Sequence, residues 1–87
     1  MKVYSISYDL STPGTDYDAL YEAIKQYRWA HYLESTWWVA TNDSANQIFN
    51  NIQPHIDDND RILVIELKDN KAGWLPQEAW DWLNNNL

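Results

Sequence analysis

Asp9 has the most direct chemical potential in this chain. It closes the β-forming run "VYSISYD" and stands immediately before the turn sequence "LSTPG". A carboxylate at the mouth of a strand serves as a metal ligand or general base, or it accepts hydrogen bonds from the turn that follows. Two such carboxylates across a two-fold axis would hold one Mg²⁺, and that ion would activate water for phosphodiester attack. Asp9 is therefore the candidate metal ligand and a candidate catalytic residue. Ser35 is the second catalytic candidate. With Thr36 it stands at a bend before Trp37 and Trp38, where a hydroxyl orients a ligand or bonds to backbone. A nucleophilic role would need a base within hydrogen-bond reach.

Other chemistries are excluded or weakened by residue type and spacing. Cysteine is absent, which removes disulfides, thiolate catalysis and Cys-based zinc sites. His31 and His55 are the only histidines and lack a shared metal-ligand spacing, so both read as ordinary, partly buried histidines. The run Asp57, Asp58, Asp60 invites a calcium reading. Counting from Asp58, however, the positions that need Gly and Glu hold Leu63 and Asp69, and a solvated polar loop fits better. With only Gly14 and Gly73, no phosphate loop or dinucleotide fingerprint can be built. Trp37 and Trp38 point to opposite faces if they lie on a strand. One belongs to the core. The other lies on an open face, where it stacks on a base, worth ~1–3 kcal/mol, or meets a protein partner. Trp37, Trp38 and the nearby cation Arg28 are the candidate binding residues.

The elements that position these residues follow from periodicity. Residues 3–10 alternate as a strand, with Tyr4, Ile6, Tyr8 and Leu10 on one face and Val3, Ser5, Ser7 and Asp9 on the other. "STPG" makes a turn through Pro13 and Gly14. Residues 15–27 form a helix with a Thr15–Asp18 capping box and a stripe of Tyr17, Leu20, Tyr21, Ile24 and Tyr27. "WAHYLESTWWVAT" reads as one long bent strand or a hairpin, bent at "LEST". A second helix follows, capped by Ser44 and Gln47, with Ala45, Ile48, Phe49, Ile52 and Ile56 inward and Pro54 ending or kinking it. "RILVIELK" is apolar on both faces, which suits an interior strand or one covered by another subunit. "WLPQEAWDWLNNNL" closes as a helix with Trp74, Leu75, Ala79, Trp82 and Leu83 inward.

The order is strand, helix, strand pair, helix, strand, tail helix. That predicts an α+β class: a ferredoxin-like βαββαβ domain over residues 1–87, with 73–87 as an additional C-terminal helical tail. Helices cover one sheet face, and the Val3–Ser5–Ser7–Asp9 row lies on the other, where a second copy docks. Six Trp and six Tyr are a surplus for a core of 87 residues, which also points to an interface. The formal charge is −7, from thirteen acids and six scattered cations. Phosphate-backbone affinity comes mainly from Lys and Arg, so this field has the wrong sign for broad nucleic-acid binding. No secretory h-region opens the chain and no apolar run approaches a bilayer span. The expectation is a soluble, cytoplasmic protein without a membrane partner.

The segments "YDLSTPGTDYDALYEAIKQY", "HYLESTWWV", "DDNDRILVIEL" and "GWLPQEAWDWL" resemble the small bacterial and phage proteins labelled SinR family, over nearly the whole chain. That family is similar to the second CRISPR-associated adaptation protein and to virulence-associated protein D. The resemblance implies a ferredoxin-like homodimer and, in some members, nuclease activity. It also implies that Asp9 matches a metal-binding strand-end Asp, and Ser35 the Ser of the second-strand motif. Where those relatives carry basic residues around the second strand, this chain has "WAHYLESTWW" with Arg28 alone nearby. The first expectation is therefore a non-enzymatic, homodimeric binding or assembly module that works through protein contacts without a fixed cofactor. The alternatives are a Mg²⁺-dependent endonuclease on RNA or single strands, with Asp9 paired across the dimer, and a nucleic-acid mimic that blocks a basic partner.

Overall fold

The computed structural model describes residues 1–11 and 17–87. The Pro13–Gly14 turn and the Thr15 half of the first capping box lie outside the described residues. The described chain runs β1 (Lys2–Asp9), α1 (Asp18–Ile24), β2 (Arg28–Leu33), β3 (Thr36–Thr41), α2 (Ala45–Ile52), β4 (Arg61–Glu66) and α3 (Gln77–Asn86). The class is α+β. The four strands form one antiparallel sheet in the order β2-β3-β1-β4. Among the described residues, no helix is long and apolar enough to cross a membrane.

Alternation along β1 sorts the molecule into two cores. Tyr4 and Ile6 point to an inner face with Trp37 and Val39, under Leu20 and Ile24 of α1 and Ile48 and Ile52 of α2. Fully burying an aliphatic side chain of this size contributes about 1.5–3 kcal/mol, so this layer dominates stability. The helix stripe of Tyr17, Leu20, Tyr21 and Ile24 packs here as its spacing predicts. Tyr27 joins the same cluster from beyond the helix. α1 tightens after Ile24, where the Tyr27 amide bonds to the Ile24 carbonyl at 3.1 Å.

The hairpin reading of residues 29–41 is correct: Leu33 pairs with Thr36 across a two-residue turn. α2 starts as its sequence predicts. The Gln47 amide donates to Ser44 Oγ at 3.2 Å, and the Ser44 amide donates to Gln47 Oε1 at 2.7 Å. It ends at Ile52 in a 3₁₀ turn over Gln53–His55 that holds Pro54, which has no amide hydrogen to continue the ladder.

Three expectations are corrected. β4 is not an interior strand; it lies at the sheet edge. The second face is not wholly open, because α3 folds back over its β2–β3 half and buries Ala30 and Trp38 beneath Ala79 and Leu83. Trp74 is not part of the inner face of α3. Pro76 caps the helix start, so Trp74 falls in the segment before the helix and is 100% exposed. Leu75 and Trp82 do pack against this smaller core.

Candidate functional site

Asp9 ends β1 in an exposed position, with Arg61 as its cross-strand neighbour. One shallow hollow beside it, about 290 Å³, is lined by Tyr8, Asp9, Tyr21, Glu34 and Ser35. The fold thus brings Asp9 and Ser35 together, as the Tyr8 amide donates to the Ser35 carbonyl at 3.1 Å and ties the β2–β3 turn to the end of β1. On the other side a hollow of about 260 Å³ is lined by Ser7, Asp9, Arg61 and Leu63. Among the described residues, no group of three or more His, Asp or Glu side chains is arranged to hold an ion. Among the described residues, Asp9 and Glu34 are the only carboxylates lining these two hollows, fewer oxygen ligands than a Mg²⁺ takes.

Behind Asp9 lies an aromatic layer that holds Trp37. Its Nε1–H donates to Tyr8 Oη at 3.0 Å, and the Tyr8 hydroxyl donates to the Glu34 carbonyl at 3.4 Å. Burial raises the Tyr8 phenol above its ordinary pKa, partly offset by the Trp37 hydrogen bond. The His31 ring stacks on Trp37 with centroids 3.8 Å apart, and its Nε2 donates to the Glu34 carbonyl at 3.0 Å. Lys25 Nζ lies 5.5 Å from the Trp29 ring centroid, a cation–π distance. Both histidines are exposed rather than partly buried. His31 serves as a lid on an indole.

The candidate binding residues separate. Trp37 and Trp38 do point to opposite faces, but both are buried. Trp38 is only 7% exposed beneath α3, with the Trp82 ring 6.1 Å away, so it offers no platform to a base. Arg28 is exposed, and its Nη1 donates to Asn86 Oδ1 at 3.2 Å. It lies level with Val3 through Ala40, at the opposite end of the sheet from Asp9, on the order of 20 Å away at ~3.3 Å per residue. Arg28 does not join the Asp9–Ser35 hollow.

The acidic loop before β4 has a structural task. Asp60 Oδ1 accepts from the Ser11 amide at 2.9 Å, from Ser11 Oγ at 3.1 Å and from Tyr17 Oη at 3.2 Å. Its Oδ2 accepts from the Asp57 amide at 2.9 Å. These bonds, the Ser11 amide first, hold its carboxyl below the usual carboxylate range.

What residue-type reasoning did not place is the apolar surface of β4 at a sheet edge, joined to a trough beyond it. Leu63 is 57% exposed and Ile65 is 51% exposed on the outer face. A trough of about 480 Å³ continues from Ile65 past Leu33 and Leu67 to Trp74 and Leu87. The signal was present in "RILVIEL", whose two apolar faces suit an unpartnered edge strand as well as an interior one. No protein-family model matches the chain, and no solved structure matches it significantly.

Proposed function

We propose that this chain is a small acidic assembly module on a ferredoxin-like sheet, acting as a homodimer through protein contacts and not as an enzyme. The architecture supports the ferredoxin-like part, since strand–helix–strand–strand–helix–strand with β1 between β3 and β4 is the split βαβ arrangement. On this reading the chain is a relative of the SinR-labelled proteins. The observation that carries the proposal is the pair Leu63 and Ile65, more than half exposed on one strand and continuous with the trough that ends at Trp74. Contiguous exposed apolar surface of this kind marks interaction sites. Multi-angle light scattering of the native chain and of Leu63→Asp combined with Ile65→Asp tests it. The native chain is expected to dimerise and the variant to remain a folded monomer. A variant that dimerises like the native chain contradicts the assignment.

A second reading, a metal-dependent endonuclease, is favoured by one observation: exposed Asp9 shares its hollow with Ser35. On this reading the Asp9 of a second copy is the other carboxylate. Incubation with DNA and RNA, single- and double-stranded, with Mg²⁺ or Mn²⁺, checks it against Asp9→Asn. Metal-dependent cleavage abolished in the variant would establish this reading; no cleavage, or equal cleavage, removes it.

A further inference from the structure

We propose that the second copy joins edge to edge, β4 against β4, to make one continuous eight-stranded antiparallel sheet centred on Val64. This inference rests on the homodimer reading and specifies its geometry. The Leu67 amide donates to the Val3 carbonyl at 2.8 Å. Alternation along an antiparallel ladder then assigns the polar backbone groups of Arg61, Leu63 and Ile65 to β1. Those of Ile62, Val64 and Glu66 point away from the sheet. A buried or partnerless row of such groups is a template for another strand.

The two edges of this sheet differ in a way that matters. β2, at one edge, has a register shift between Ala30 and Leu33, a common device against edge pairing. β4 pairs with β1 without a shift from Arg61 to Glu66 and contains no proline. Apolar side chains flank its free edge on both faces. Leu63 and Ile65 lie on the outer side. On the inner side Phe49 of α2, expected in the core, is 39% exposed and lines a hollow with Ile62.

Symmetry and charge select the register. A two-fold axis perpendicular to the sheet requires opposed residues to share a face. Centred on Val64, it pairs Val64 with Val64, and Ile62 with Glu66 of the second copy, so every outward-facing residue of β4 is used. Leu63 then lies opposite Ile65 of the second copy, twice, as a ladder of apolar cross-strand pairs. Asp60 falls opposite Lys68 of the second copy, an attractive pair. Slipping to a Leu63-centred register sets Asp60 opposite Glu66 of the second copy, which is repulsive, and leaves an outward-facing residue of the strand without a strand partner.

This dimer has a consequence for Asp9. That residue is level with Arg61, so the two copies' Asp9 residues lie on the order of 20 Å apart at ~3.3 Å per residue. An edge-paired dimer cannot share one ion between them.

Val64→Pro is the direct test. It deletes an outward amide and leaves the β1 ladder intact, and proline is tolerated on edge strands. Sedimentation of native and variant chains is read together with amide exchange of Ile62, Val64 and Glu66 in the native chain at low and high concentration. The expected result is a native dimer, a monomeric Val64→Pro chain, and exchange at those amides slowed by roughly tenfold or more on dimerisation. A native dimer whose three amides exchange equally fast at both concentrations overturns edge pairing but keeps the homodimer, even if the variant fails to fold. A Val64→Pro chain that dimerises like the native one does the same. A native chain that stays monomeric overturns both readings.

Discussion

Asp60 and Tyr8 show how single polar groups hold the site's surroundings in place. The hydrogen bonds to Asp60, the Ser11 amide foremost, lower its folded pKa. Its contribution is therefore fully present above the unfolded value of about 3.9 and is lost as pH falls through the lower folded value. Asp60→Asn is expected to lower the melting temperature most near neutral pH, with the gap to the native chain closing in strong acid. Melts at about pH 7 and about pH 2 check this, and a gap independent of pH contradicts it. Tyr8→Phe removes the oxygen that receives the Trp37 Nε1–H. Leaving that donor unpaired costs about 1–3 kcal/mol, measurable by urea unfolding. Asp9 makes a different residue-scale point. Its exposure and its neighbour Ser35 were foreseeable from a strand-end position and a hairpin bend, but that the described residues gather no cluster of ligands around it depends on tertiary placement.

At the scale of elements, local rules were legible where the chemistry is local. The Ser44–Gln47 cap is a reciprocal pair of hydrogen bonds within one turn, and Ser44→Ala should cost about 0.5–2 kcal/mol in thermal or chemical unfolding. The alternation of Tyr4 and Ile6 against Val3 and Ser5 was equally legible, since strand period is a property of the backbone. Placement among non-neighbouring elements was not. An interior strand and an edge strand with a partner give the same apolar pattern, so "RILVIE" did not reveal its edge. The helical period also carried Trp74 into the stripe of α3, although Pro76 starts the helix after it. That α3 closes over Trp38 depends on the chain's return path, which local spacing does not encode. Leu83→Ala should cost about 2–5 kcal/mol and shift the emission of Trp38 to the red as water reaches it. Unchanged emission would contradict the covering role of α3.

At the scale of the whole molecule, charge and apolar surface argue in the same direction. A net charge of −7 repels a phosphate backbone, while Leu63, Ile65, Phe49 and Trp74 expose apolar surface that a small domain ordinarily hides. Edge pairing would cover the first three of these and join two sheets, leaving the trough at Trp74 for a further protein contact. Acidic subunits repel one another, so added salt should tighten association by screening; weaker association in salt would point to a contact dominated by ion pairs. Sedimentation equilibrium of the native chain from low to high micromolar concentration is the most direct measurement. The account predicts a single reversible equilibrium whose mass rises from 10.3 kDa toward twice that value. A mass fixed at 10.3 kDa throughout would contradict it.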